Sequence, residues 1–478
     1  VSTGALVRRA ARGSTALRGG RVRRLTPYQV FGLLFWLVMT LAYWRVPPCC
    51  EAGLHAAAVE GLRSGLTDAA VSPYVLAQGV LARLTGLSGW QLLRVCGPLN
   101  LLVLLTGLGR LVRVLTPRPW APVLALVLMS VLWGTRPGWG GGSPALLPLT
   151  GGLGYPSAFA LGLTLWCWAL TGARARDRRR VRYVGPSGLR SLSGYAALGV
   201  LYGVVALVDP LLGAAAAAGA VAFVAGWQRG WAGAVRGRWG LMGAVAAAVF
   251  AAGTHARVLP QTYPVDGVYG GVAGQCWLAV LLGLPALWLR ARDTAWRDPL
   301  VLLSVLAALP AGYGVRHGTG ELLGAALLAP QCALAVELAA GRPWPVRRRV
   351  LGWATAGGVC LGFLTAQAGA VVPRSLDPVG FVQPPRWPSY DWAARHIGPG
   401  EPVVTDAPYA VRLLPGYGIR LADAHDHRSR VRWLLLTRRE RLPGDAVVVD
   451  WSRRTGEVLA RLTGTRDVPA AAGPATRR

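Results

Sequence analysis

Residues 342–372 read RPWPVRRRVLGWATAGGVCLGFLTAQAGAVV: an arginine cluster, Arg342, Arg347, Arg348 and Arg349, followed by an uncharged apolar run from Val350 to Val372. A run of about 23 apolar residues meets the roughly 17–25 that a helix needs to cross a hydrocarbon core. The pattern recurs along the chain, as in Tyr28–Val46 and Pro119–Gly134, so that nearly every second connection is strongly basic and the others are not. This rhythm predicts a mainly α, polytopic transmembrane bundle. Of 478 residues, 53% are hydrophobic and 15% charged.

About eleven spans follow from the apolar runs: 27–46, 90–112, 119–134, 155–173, 193–209, 211–228, 240–257, 272–290, 299–315, 320–340 and 350–372. The basic connectors then share one side. They are Arg110/Arg113/Arg118, Arg174 to Arg190, Arg229/Arg236/Arg238, Arg290/Arg292/Arg297 and the cluster quoted above. The positive-inside rule makes that side cytoplasmic, together with residues 1–26, whose seven arginines read as a basic arm. Tyr28–Val46 reads as an uncleaved first span rather than a signal peptide. Pro73–Leu87 is apolar but short, and reads as an interfacial or half-inserted helix.

An odd number of spans puts the C-terminal segment outside the cell membrane. From Pro373 proline, charge and short β-rich runs replace the apolar segments, predicting a small extracytoplasmic α/β domain over 373–467 and a disordered tail over 468–478. Within it Ser389–Ile397 and the basic stretch Arg428–Arg438 read as helices, and Pro402–Thr405, Ile419–Ala422 and Ala446–Asp450 as strands. Thr135–Gly154, with its Gly-Trp-Gly-Gly-Gly-Ser-Pro core, reads as a flexible outer loop. It lacks the strand and lysine that a phosphate-binding loop requires.

The net charge of +30 would ordinarily suggest nucleic acid, but the arginines lie in the arm, the short connectors and the tail, where anionic membrane lipids are the simpler partner. The chain has no lysine, one asparagine (Asn100) and two isoleucines, a codon bias that removes meaning from the choice of arginine. Cys96, Cys167, Cys276, Cys332 and Cys360 sit singly in apolar runs as small hydrophobes, and the adjacent pair Cys49–Cys50 lacks metal-ligand spacing.

Acidic residues are scarce before Pro373, and on this topology six of them gather outside: Glu51, Glu60, Asp68, Asp209, Asp266 and Glu321. Glu51 and His55, four apart in a short amphipathic helix near 51–64 with Leu54, Ala58 and Leu62 as its apolar stripe, fall on one face. That carboxylate suits a general base toward a sugar hydroxyl, or a divalent cation held with help from His55. The same pattern also fits a solvated helix lying on the membrane.

Asp209-Pro210 marks a tight turn between spans. His255 and Arg257 end a span, Asp266 follows in a loop, and Arg316-His317 reads as a short turn. Arginines just outside the hydrocarbon suit a phosphate head group, or simple snorkelling. Asp423-Ala-His425-Asp426-His427 fits no metal-ligand spacing. Asp406 and Asp450 end strands without a glycine fingerprint for nucleotide.

These residues carry a resemblance to a known family. Pro47-Pro-Cys-Cys-Glu51-Ala-Gly-Leu-His55, Glu60-Gly-Leu-Arg-Ser-Gly-Leu, Ser72-Pro-Tyr-Val-Leu and Leu84-Thr-Gly-Leu-Ser88 resemble the first outer loop of the GT-C superfamily of integral membrane glycosyltransferases. Tyr155-Pro-Ser-Ala-Phe, Val208-Asp209-Pro210 and Tyr390-Asp-Trp-Ala-Ala-Arg-His-Ile are similar to later features of that family. The paired acidic residues of many members are absent here, and the C-terminal domain is small.

The resemblance implies transfer of a hexosyl or pentosyl unit from a polyprenyl-phosphate-linked sugar to a glycan, lipid or protein acceptor of the cell envelope. Glu51 would stand at the position of the catalytic acid, His55 beside it. Asp209, His255, Arg257, Asp266, Arg316 and His317 are the candidate substrate-binding residues. Two other readings stay open: a transporter or lipid flippase, and a non-catalytic membrane protein of the envelope. Flippases favour ionisable residues at mid-membrane and paired halves, which the sequence lacks.

Overall fold

A computed structural model describes residues 25–46, 51–65, 71–138, 143–176, 187–256, 258, 272–294, 297–317, 320–340, 346–422, 431–437 and 442–463. The helices run in the order α1 (Pro27–Arg45), α2 (Ala52–Ser64), α3 (Pro73–Thr85), α4 (Gly89–Leu115), α5 (Ala121–Val131), α6 (Leu146–Gly152) and α7 (Pro156–Arg176). They continue with α8 (Ser187–Val208), α9 (Pro210–Trp227), α10 (Gly233–His255), α11 (Val272–Thr294), α12 (Pro299–His317), α13 (Gly320–Leu338) and α14 (Val346–Gly362). A π turn (Phe363–Gln367) and a 3-10 turn (Ala368–Ala370) prolong α14 toward the C-terminal domain.

Each apolar run expected as a span contains a helix within its described residues. Five helices are long and apolar enough to cross a bilayer singly, and a sixth span forms if α6 and α7, bent by 119° at their break, are taken together. The other apolar helices are shorter. The chain is thus a multipass, mainly helical membrane protein with a small C-terminal α/β domain.

Helix starts follow from capping chemistry. Thr26 and Ser88 each form a capping box with the glutamine three residues on, Gln29 and Gln91. Ser72 and Asp209 cap α3 and α9, each followed by a proline at the first helical position. Between spans, burial is uneven. Leu33, Leu34 and Leu41 of α1 are each more than half exposed, a face that suits lipid and not water. Leu101, Leu104, Leu108 and Leu111 of α4 are buried, together with Trp168 of α7 and Phe223 of α9. Where α4 crosses α7, a Cβ on Gly162 would lie 2.9 Å from the Leu104 amide nitrogen, so only glycine permits that approach.

Arginines of the basic connectors hydrogen-bond to the helix ends that flank them. Arg113 donates to Thr26 at 3.3 Å, Arg174 to the Gly194 carbonyl at 3.1 Å, and Arg290 to Asp298 at 3.1 Å. The C-terminal domain is reached through α14.

That domain contains α15 (Asp391–Ala394), β1 (Pro402–Thr405), α16 (Pro408–Leu413), β2 (Arg420–Leu421), β3 (Trp433–Leu436), β4 (Ala446–Trp451) and β5 (Val458–Leu462). The strand order is β2-β1-β3-β5-β4, with β1 parallel to β2 and β3, and β5 antiparallel to β3 and β4. A core of Tyr390, Val403, Leu413, Leu414, Trp433, Leu435 and Leu459 holds it together.

Four sequence expectations are corrected. The described part of Arg428–Arg438 is not a helix: Trp433–Leu436 forms the central strand, buried at all four positions, because a continuous apolar run is what a strand covered on both faces requires. Val458–Leu462 forms a further strand beyond the three expected. Thr135–Gly154 is not a flexible loop in its described part. Leu146 to Thr150 are all buried in α6, and the Leu147 amide donates to Gln367 at 2.8 Å, since an apolar run has nowhere else to go. Finally, Arg316 and His317 are the last residues of α12 rather than a turn. The arm at 1–24, Cys49–Cys50, the Asp423–His427 group and the tail lie outside the described residues.

Candidate functional site

Helix α2 is a buried wedge, not a helix lying on a surface. Ala52, Gly53, His55, Ala56, Val59 and Glu60 are buried, whereas Leu54 and Leu62 of the expected stripe are only half-buried. The reason is that α2 has neighbours on two sides. The first turn of α4 lies against it from the bundle, and α16 with the 3-10 turn Leu414–Tyr417 covers it from the C-terminal domain. Trp90 of α4 meets Tyr417 ring to ring at 5.5 Å and completes the joint.

Glu60 serves this joint. It pairs with Arg63 and accepts the Gly89 amide at 3.1 Å. A carboxylate at a helix N-terminus is worth up to about 2 kcal/mol when partly buried. That commits Glu60 to structure. Glu51 differs: it occupies the N-cap position of α2 but makes no capping hydrogen bond. Its side chain keeps 22% of its exposure, against 7% for His55, so Glu51 remains open to a ligand while His55 does not.

The Glu51 Oε2 lies 4.0 Å from His55 Nε2, beyond hydrogen-bonding distance. The imidazole packs against the Tyr155 ring at 4.8 Å. Burial drives the His55 pKa down to about 3, so at neutral pH the carboxylate stands beside a neutral ring, not an ion-pair partner. Burial also raises the Glu51 pKa, and the Arg412 guanidinium of α16 works against that rise. A carboxylate shifted toward neutrality is better matched to taking a proton than an ordinary one.

Tyr155 is held from below. Asn100, the chain's single asparagine, donates from deep in α4 to the Tyr74 hydroxyl at 2.7 Å and the Leu153 carbonyl at 2.8 Å. Tyr74 in turn donates to the Gly154 carbonyl at 3.2 Å. These bonds fix the sharp break between α6 and α7 and so place Tyr155 against His55.

The other candidates fare differently. Asp209 is buried and its Oδ1 accepts the Leu212 amide at 3.0 Å, an N-cap for α9. His255 ends α10 in an exposed position, and α10 packs on α8 rather than on α2. Arg257 and Asp266 lie outside the described residues, as do the side chains of Arg316 and His317. Among the described residues no group of three or more His, Cys, Asp or Glu side chains could hold a metal. Beside a guanidinium, one carboxylate and one imidazole fall short of the oxygen-rich shell of a divalent cation. No local pattern marks Arg412, whose place beside Glu51 depends on the C-terminal domain. Asn100, a lone amide in an apolar span, was a signal that codon bias obscured.

His55 makes the joint sensitive to acid. Above about pH 6.5 folded and unfolded chains both hold it neutral; below that the unfolded chain takes up a proton that the folded one refuses until about pH 3. Its contribution is therefore complete above pH 6.5 and is lost as pH falls through that window, on the order of 1 kcal/mol per pH unit. Glu51, with its raised pKa, acts in the opposite sense just above its ordinary range. Melting of the detergent-solubilised protein should drop between pH 7 and pH 5, and His55→Gln should flatten that slope. An unchanged slope in the variant would assign the acid sensitivity elsewhere.

The architecture defines a polytopic membrane protein with a docked α/β domain. Comparison with protein-family models gives no match, and comparison with curated proteins gives none. Among solved structures, the chain is similar to the archaeal oligosaccharyltransferase AglB from Archaeoglobus fulgidus in complex with an inhibitory peptide and a dolichol-phosphate. The TM-score is 0.48 at 8% identity, covering 86% of this chain and 69% of that one. It is also similar to an Archaeoglobus fulgidus oligosaccharyltransferase complex with Zn and sulfate, with a TM-score of 0.47 at 11% identity, covering 85% and 68% of the two chains.

Proposed function

We propose that this chain is an integral membrane glycosyltransferase that takes a sugar from a polyprenyl-phosphate carrier and passes it to an acceptor on the extracytoplasmic face. The observation that carries the proposal is the setting of Glu51: a ligand-accessible carboxylate with a raised pKa, in a first-loop helix wedged between bundle and C-terminal domain. The sequence resemblance to the GT-C superfamily supports the same reading.

In the proposed step the acceptor oxygen bonds to the anomeric carbon as its proton passes to Glu51. The bond from that carbon to the lipid phosphate breaks, and the phosphate leaves with its electrons. His55, neutral and packed against Tyr155, forms the wall beside the carboxylate without bonding to it. Arg412 takes the charge-neutralising role toward the departing phosphate, a task that the sequence alone assigned to Arg257 or Arg316.

Purified protein in liposomes, given a polyprenyl-phosphate sugar with a labelled hexose or pentose and membrane extract as acceptor source, should move label from the lipid into a new covalent product. Label that crosses the bilayer while remaining on its lipid would instead make the protein a transporter.

A further inference from the structure

At the end of the bundle far from Glu51, α14 stands off from α5 and α13 and leaves a cavity of about 910 Å³ between the three helices. Its size lies in the roughly 300–1,000 Å³ range of small-molecule sites. The walls are apolar: Val127 of α5, Leu338 of α13, and Trp353, Ala356 and Val359 of α14. One cation, Arg349, belongs to the lining. Trp353 is 81% exposed and Val350 62%, so this side of α14 faces the bilayer and the cavity opens into hydrocarbon.

Of the arginines in the first turn of α14, Arg347 and Arg349 are exposed and without an ion pair among the described residues, and of the two only Arg349 lines the cavity. Arg348 is held by Glu337 at 2.9 Å, and Glu337 also meets Arg290, which pairs with Asp298. Those two acids are thus each in an ion pair with Arg290 or Arg348, both of which are less exposed than Arg349. Arg349, one residue further round the helix, is exposed and has no acidic partner among the described residues.

We propose that this cavity is a binding site for one anionic phospholipid of the leaflet opposite the C-terminal domain, with an acyl chain between α5 and α14 and its phosphodiester on Arg349. A single guanidinium at the mouth of an apolar slot complements one negative charge on a hydrocarbon tail. The position argues against the sugar carrier as occupant. Some 20 residues separate Arg349 from Ala370, about 30 Å of helix, so a phosphate on Arg349 is roughly a bilayer's thickness from the end of α14 that leads into the C-terminal domain covering α2.

The test is native mass spectrometry of the intact protein in neutral detergent, with dioleoyl phosphatidylglycerol or dioleoyl phosphatidylcholine added at equal concentration. One phosphatidylglycerol per chain should be retained, at about fivefold the occupancy of phosphatidylcholine. Arg349→Ala should bring the two lipids level. Ala356→Trp, which fills the slot and spares the cation, should lose both, with melting temperature reporting that each variant is folded. Equal retention of the two lipids by the wild type, or undiminished phosphatidylglycerol in Arg349→Ala, would overturn the site. Displacement of phosphatidylglycerol by equimolar polyprenyl phosphate would overturn its assigned occupant.

Discussion

Glu51→Gln is expected to leave the protein folded and inserted and to cut sugar transfer about 10²–10⁴-fold, the usual weight of a general base. The amide keeps the shape of the side chain and removes only the charge and the proton affinity. Because Glu51 caps nothing and bonds to neither His55 nor the backbone of α2, the exchange withdraws no hydrogen bond made among the described residues. Loss of transfer with an unchanged melting temperature therefore reads chemistry rather than stability.

The pH profile adds a second readout. Transfer should fall on the acid side as Glu51 protonates, and that limb should lie above the ordinary carboxylate range, since burial raises the pKa. Arg412 opposes the rise, so Arg412→Gln should move the acid limb further up in pH as well as slow release of the phosphate. Full activity in Glu51→Gln would remove the carboxylate from the reaction. A limb that stays put in Arg412→Gln would remove the guanidinium from its surroundings.

The bundle was legible because lipid imposes a single requirement, a long apolar helix that satisfies its own backbone, and that requirement writes itself into consecutive residues. The caps at Thr26, Ser72, Ser88 and Asp209 are equally local signals, readable within three positions. What escaped was everything set by neighbours distant in sequence. β3 is flanked by arginines and looked helical until β1 and β5 closed on both its edges. α6 is too short to show a period and is defined by what buries it. The site divides in the same way: Glu51 and His55 are four apart on one helix, but Arg412 reaches Glu51 only because a separate domain docks there. The spacing of α2 spoke for an amphipathic surface helix, and its true burial came from a second covering layer.

That covering layer supplies the sharpest structural expectation. A Cβ on Gly53 would lie 1.9 Å from the Arg412 carbonyl oxygen and 2.8 Å from the Leu413 Cα, backbone atoms that cannot swing aside. Two effects of Gly53→Ala compete. Alanine favours the isolated helix by up to about 1 kcal/mol. Overpacking costs about 1–3 kcal/mol where side chains can yield, and against rigid backbone the upper part of that range applies. The clash wins, and α16 must lift from α2, carrying Arg412 away from Glu51. Amide hydrogen exchange in 52–64 and 408–417 should then speed up at least about tenfold, while strands β3 and β5, held by the domain's own core, keep their protection. Transfer should fall with it although no reacting group has changed. If both segments stay as protected as in the wild type, the joint between bundle and domain is not what holds the site together, and the role given to Arg412 goes with it.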